Sequence, residues 1–483
     1  MPRGVAAGVA IFTGFCAIWY LFLLGNGHLT VFAPEQMDRL FGDMARHLSR
    51  GEFTVDLDAL GSESFTRDGK TYAYFGIFPA VLRLILSPFI DTFGGGLARL
   101  SCWVAMVLYV AILLATLAMV HRSVPAQSRS GPLLAIMIAA IGLSGPEIYL
   151  LGSAWVFHEP LFWSAVAGAG FNFVLLRSVL AGRRPGTGDL AALAVLAGIA
   201  LNTRASVGAG LCVAIGLLLI WSAWMDAGAS GVRSAGTFAA ACFRWRIVAP
   251  VLLLGFFVVV VCVVNFERWG NPLKFADFRY YDFARRQPWR MNVIVNQGEL
   301  SPSRIWVSAL YYATGIPYLL KNTVTVGSYL KAHFDGLEAP PMSGLIVNPL
   351  IVILAGFGLH RLLHRPRLLS ADATAILSLA LFGHFVAVVL VCSAMYLAMR
   401  YRLDFAPFMT LAMFIGYPAV SERMTHAGHR RGFLGGAVAI CLFGVIASHY
   451  ALVIHKVWSP GVERDVRLKF LPFAPFARAA LDQ

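Results

Sequence analysis

A few side chains in this sequence are of the types that acid–base and anion chemistry needs, and they lie far apart in the chain. Asp38 and Glu159 are acids at the edges of apolar segments, and Arg204, Arg400 and Arg402 are guanidinium groups at similar edges. His158 precedes Glu159, and Lys70 and Tyr72 belong to the polar stretch Asp68-Gly69-Lys70-Thr71-Tyr72-Ala73-Tyr74-Phe75-Gly76. An ionised acid can serve as a base toward a hydroxyl. Arginines grip phosphate or pyrophosphate through forked hydrogen bonds. They also neutralise charge that develops on a departing phosphate. Asp38 and Glu159 are therefore the candidate catalytic residues. Arg204, Arg400, Arg402, His158, Lys70 and Tyr72 are the candidate substrate contacts. Each has a structural reading beside the chemical one. Asp38 and Glu159 suit a first helical turn, where the dipole favours an acid. His158 suits a membrane interface, and the arginines suit headgroup anchors. No HExxH is present, and His158 with Glu159 alone is no metal site.

The elements that must position these groups are membrane elements. The chain has 483 residues, 58% hydrophobic and 13% charged, with a mean hydropathy of +0.70. Repeated apolar runs of about 20 residues, enough to cross a bilayer core, predict an all-α polytopic integral membrane protein. The net charge of +14 sits in short loops, which favours lipid headgroups and topology over nucleic acid as its explanation. The seven cysteines show no CxxC or metal-ligand spacing and read as small apolar residues. Residues 5–25 form a long run without an A-x-A site and read as a retained first helix rather than a signal peptide.

About eleven transmembrane helices are expected, near 5–25, 98–120, 132–150, 159–180, 189–203, 206–225, 247–266, 344–360, 374–396, 404–421 and 433–455. The run 75–93 contains Arg83, Pro79 and Pro88. Reading it as a re-entrant or surface helix puts thirteen arginines in short cytoplasmic loops and only Arg204, Arg400 and Arg402 in short outer ones, as the positive-inside rule requires. Two large outer loops then remain, 26–97 and 267–343, with an outer carboxyl tail at 456–483. In the first loop Met37, Leu40, Phe41, Met44 and Leu48 share one helical face. Pro34 suits its first turn. That helix should lie flat on the membrane with Asp38 near its start and Asp43 toward solvent. The second loop is basic and aromatic, with a further amphipathic piece at about 303–320. Glu147 reads as a helix-end acid, and His384 and Asn172 as packing polars inside spans.

Several fragments together resemble the GT-C superfamily of membrane glycosyltransferases. They are Asp38 followed by Ala45, Leu48 and Gly51; the small-residue run Leu193–Leu201 ending in Asn202-Thr203-Arg204; Trp269-Gly270-Asn271-Pro272-Leu273; and Arg400-Tyr401-Arg402-Leu403-Asp404-Phe405-Ala406-Pro407. The resemblance implies a hexosyl or pentosyl transfer from a polyprenyl-phosphate or polyprenyl-diphosphate sugar donor to a lipid, glycan or protein acceptor, at the outer face of a membrane. The bacterial inner membrane is the expected location. It implies that Asp38 is the first-loop acid acting as base and Glu159 the second acid. Arg204, Arg400 and Arg402 are then candidates for holding the carrier phosphate. The sequence has Met37-Asp38-Arg39 where an Asp-Glu pair is commonest and lacks a D-x-D there, so a divalent metal stays an open cofactor. The competing readings are a transporter or flippase for a lipid-linked or anionic substrate, and a scaffold. A transporter would be expected to show repeats and midplane charges, which this sequence does not.

Overall fold

The computed structural model describes residues 3–228, 234–338, 343–364, 369–423, 427–458, 462 and 464–473. Arg233, Arg365 and Arg367, used in the loop count, and residues 474–483 of the expected tail lie outside them. Among the described residues, nine helices are long and apolar enough to cross a membrane: Gly4–Leu24, Ala98–Ser123, Gly131–Leu150, His158–Leu180, Ala205–Ala227, Trp245–Trp269, Ala371–Ser393, Met399–Arg423 and Arg431–Trp458. Two more apolar helices, Thr187–Leu201 and Pro349–His364, are shorter. These segments coincide with the runs expected from hydropathy. The short pair differs in length: 15 residues in a helix reach about 22 Å, less than the ~30 Å of a bilayer core. Within 75–93 the helix is only Phe78–Leu86, nine residues and about 13 Å, too short to cross.

The first loop folds differently from the flat helix expected over 34–48. The helix is Leu40–Leu48, and Asp38 lies before it, not on it. Met37 sits at φ +58°, in the left-handed region, and the Asp38 carboxylate accepts a hydrogen bond from the Glu35 N–H at 3.0 Å. That back-bonding competes with helical pairing and delays the helix start. The apolar face of the helix is not turned to lipid. Leu40, Phe41, Met44 and Ala45 are buried with Val55, Phe75, Ala80, Val156 and Val264. Asp43, expected toward solvent, is also buried; it pairs with Arg46 and accepts the Asp56 N–H at 2.7 Å.

A hairpin follows. Phe65–Arg67 pairs antiparallel with Lys70–Tyr72 across Asp68 and Gly69, at φ +51° and +73°, the left-handed pair that an Asp-Gly turn supplies. The hairpin joins the two loops. Phe65 stacks on Tyr281 with ring centroids 5.0 Å apart and meets Trp269 edge-on at 5.5 Å. Ser64 and Thr66 donate their hydroxyls to Asp282 at 2.8 and 2.6 Å, and Tyr281 donates to Glu63 at 2.6 Å. The second loop is in turn fastened to the helices. Gly336–Leu337 pairs in parallel with Tyr396–Leu397. Arg304, fully buried, donates to the carbonyls of His333 (2.6 Å), Gly298 (2.9 Å), Glu299 (3.1 Å) and Ser393 (3.4 Å). His384 and Asn172 bond to each other at 2.8 Å inside the bundle, as packing polars.

Arg304 thus holds a loop by carbonyls alone, and each bond from a charged donor contributes roughly 1.5–3 kcal/mol. Arg304→Ala should loosen the second loop without unfolding the bundle. Limited proteolysis is expected to cut near residues 298–304 at least severalfold faster, with helical circular dichroism unchanged.

Candidate functional site

A cavity of about 1240 Å³ opens where the two loops meet the helix ends. Asp38, Arg204, Arg400 and Tyr401 all line it. Asp38 is 8% exposed. Its Oδ2 accepts from the backbone N–H groups of Glu35 (3.0 Å) and Gly96 (2.7 Å). Its Oδ1 takes no hydrogen bond from any described residue. The carboxylate also lies against Gly95, where an added Cβ would come 3.0 Å from Oδ1. Gly95 and the Gly96 N–H therefore form a backbone cradle, in which a side chain at position 95 would crowd the carboxylate.

The cationic wall is built around one ring. Arg204 Cζ lies 4.4 Å from the Tyr401 centroid, and Arg400 Cζ lies 5.4 Å from the same centroid. Arg204 bonds Asp404 through Nε (3.0 and 3.1 Å) and Nη2 (2.9 Å), and Ser206 donates to the same acid at 2.9 Å. Burial works against the Arg204 charge, but Asp404 and the neighbouring phenol of Tyr401 raise its pKa above the ordinary arginine range. Arg400 donates to Glu338 at 2.8 Å and also faces Phe157 at 4.5 Å. Each arginine spends part of its fork on an acid behind it, which fixes the guanidinium plane and leaves other N–H groups for a ligand.

Five expected site residues are placed elsewhere. Glu159 is fully buried and does not line the cavity; Arg83 grips both its oxygens, at 2.6 and 3.0 Å, and Ser101 donates at 2.6 Å. Its carboxylate serves to neutralise Arg83, the charge that made 75–93 hard to read. His158 is buried behind Trp155, its Nδ1 held 2.7 Å from the Ser153 carbonyl. Lys70 and Tyr72 line a second, smaller cleft with His47 and Glu267, because the hairpin turns them away from Asp38. Arg402 is buried outside the cavity lining, with Nε and Nη2 unpartnered among the described residues. Asp404, Glu338, Asp335, Arg290 and His455 were not anticipated. Asp404 stood in the open within Arg400–Pro407; an arginine at the end of an apolar helix needs a counter-ion, and that requirement was the available signal.

One group of metal-type side chains exists among the described residues: Asp43, His47 and Asp56, with ligand atoms within 4.8 Å of one another. Arg46 already pairs with both carboxylates, and His47 and Asp56 face the smaller cleft. Around Asp38 the described residues offer no such trio.

No family model matches this sequence, and no curated protein matches it either. Solved structures do. The oligosaccharyltransferase AglB of Archaeoglobus fulgidus, solved with an inhibitory peptide and a dolichol-phosphate, is 13% identical over 96% of this chain and 59% of its own, with a TM-score of 0.45. The same organism's enzyme in complex with Zn and sulfate is 12% identical over 95% and 57%, with a TM-score of 0.48. ArnT of Cupriavidus metallidurans, bound to undecaprenyl phosphate, is 14% identical over 100% and 77%, with a TM-score of 0.39. The chain thus spans under two thirds of the oligosaccharyltransferase. The functional reading rests on the cavity's own residues.

The Arg204–Asp404 pair makes a measurable demand. Removing one partner of a buried ion pair costs roughly 3–5 kcal/mol. Asp404→Ala should therefore lower the thermal unfolding midpoint in detergent by several degrees. Adding Arg204→Met to it should recover part of the loss, and an unchanged midpoint in D404A would show that the pair does not hold this turn.

Proposed function

We propose that this chain is a membrane glycosyltransferase that moves a hexosyl or pentosyl group from a polyprenyl-phosphate or polyprenyl-diphosphate carrier to a lipid, glycan or protein acceptor on the outer membrane face. The observation that supports this reading is the meeting of Asp38 with Arg204 and Arg400 in one cavity. The cavity is larger than the ~300–1,000 Å³ that holds one drug-sized ligand, which suits a donor head and an acceptor together. Val258, Val261, Leu390 and Val391, from two membrane helices, line another part of it and suit an isoprenoid tail.

The reaction uses groups already in place. The acceptor hydroxyl approaches Oδ1 of Asp38, the oxygen left free by the backbone cradle. Its proton passes to that oxygen as its own oxygen bonds to the anomeric carbon. The bond from the anomeric carbon to the carrier phosphate breaks, and its electron pair leaves on the phosphate. Arg204 and Arg400 neutralise that charge, and preorientation on Tyr401 and their acids spares reorganisation at the moment of transfer.

Asp38→Asn keeps the shape and both backbone bonds but removes the base. Turnover with undecaprenyl-phosphate-linked sugars should fall by about 10²–10⁴, while affinity for undecaprenyl phosphate stays within about twofold. Arg400→Gln should instead weaken carrier binding by about tenfold, the loss of one charge-assisted contact. Turnover of D38N at the wild-type rate would remove Asp38 from the chemistry.

A further inference from the structure

The cavity has a second end, built almost wholly by the second loop. Phe278, Tyr281, Phe283, Arg290, Asp335 and Tyr396 line it. Asp335 is 2% exposed, yet its carboxylate makes no hydrogen bond to any described residue. Oδ1 is buried without a partner, and Oδ2 has only Arg290 Nη1 at 3.8 Å, beyond hydrogen-bond reach. Burial pushes this carboxyl up to about 6, with Arg290 and Arg304 pulling the other way. Native interiors seldom leave a polar group in this condition unless something else satisfies it.

The backbone holds Asp335 where it is. Its N–H donates to the Met395 carbonyl at 3.0 Å. The next residue, Gly336, faces Tyr396 across the parallel pair, and a Cβ there would collide with the Tyr396 ring. Glycine thus lets the Tyr396 ring lie against the backbone of the residue next to the acid. Arg290 is laid over Phe283, with Cζ 4.6 Å from its centroid. The result is an acceptor lacking a donor, a fixed guanidinium and several aromatic faces within one pocket wall.

That set fits a neutral, hydroxyl-bearing ring. Hydroxyls can give the carboxylate its missing hydrogen bond and accept from Arg290, while the C–H face of the ring packs on the aromatics. A phosphate fits poorly, because Glu63, which accepts from Tyr281, and Glu299, which accepts from the Phe278 N–H, stand at this end and would repel it. An ammonium would have to face Arg290. We propose that Asp335, with Arg290 beside it, is the subsite that reads the hydroxyl groups of the transferred sugar, while the carrier phosphate stays with Arg204 and Arg400. The inference rests on the glycosyltransferase reading above and adds to it a specificity residue on the second loop.

The test is a binding comparison on the full chain in nanodiscs. Undecaprenyl phosphate is measured against undecaprenyl phosphate carrying glucose, mannose, galactose or arabinose. The wild type should prefer at least one sugar-bearing carrier to the bare one. Asp335→Asn, which keeps the shape, and Asp335→Ala should lose that preference, about tenfold in affinity. Their affinity for bare undecaprenyl phosphate and their thermal midpoint should not fall. The subsite is overturned if either variant keeps the sugar preference, or if both lose bare and sugar-bearing carriers alike. A wild type that binds the bare carrier but prefers no sugar also overturns it and leaves the phosphate site standing. A wild type that binds no carrier at all defeats the glycosyltransferase reading and the subsite together.

Discussion

A charged guanidinium at the edge of a hydrocarbon layer is costly without a partner, and around this cavity four such groups are matched by acids. Arg204, in the turn between two apolar helices, is matched by Asp404 at the head of a later one, across the ring of Tyr401. Arg400 is matched by Glu338 from the second loop, Arg83 by Glu159, and Arg99 by Glu35 at 2.7 Å. Every one of these pairs joins segments distant in sequence. A buried pair contributes little net stability, since desolvation offsets its attraction, but a broken one is costly. The pairs therefore act chiefly to specify which segments meet. Asp38 stands apart from them. It has no cationic partner among the described residues and is held by backbone N–H groups instead. A base needs that condition, because a carboxylate committed to an arginine is a weak acceptor for another proton.

The cost of placing Asp38 is visible beside it. Met37 takes a left-handed backbone conformation, which side chains other than glycine adopt at an energetic penalty of order 1–3 kcal/mol. The burial of Leu40, Phe41 and Met44 against the short helix Phe78–Leu86 and its surroundings offsets such a penalty at about 1.5–3 kcal/mol per large side chain. The same packing brings residues 94–96 over the carboxylate. Strain, burial and the position of the acid are thus one arrangement.

Much of the fold was legible in the sequence because hydropathy over about 20 residues has one physical meaning in a bilayer. The apolar helices appear where the runs stood, including the two short ones, and the run with Arg83 and its prolines holds a helix of only nine residues. What stayed hidden was pairwise. Glu159 and Asp38 are both acids near helix starts, and only the fold reveals that one is spent on Arg83 and the other is not. Lys70 and Tyr72 sit in a motif-dense stretch, but the Asp68-Gly69 turn sends them to a separate cleft. The helix expected from Pro34 assumed an uninterrupted period; a side chain bonding to its own backbone shortened it. Asp335 belongs to a stretch with no periodicity, and nothing local announces that its partner is a parallel bridge sixty residues on.

The central claim is that a lipid-linked phosphate and the Asp38 carboxylate share this cavity. A structure of the full chain with undecaprenyl phosphate tests it most directly. The account predicts density for the phosphate within hydrogen-bond distance of Arg204 or Arg400, its tail along Val258 and Val261, and Asp38 facing the same space. Phosphate bound only elsewhere, with the cavity between the two loops left to solvent, would contradict it.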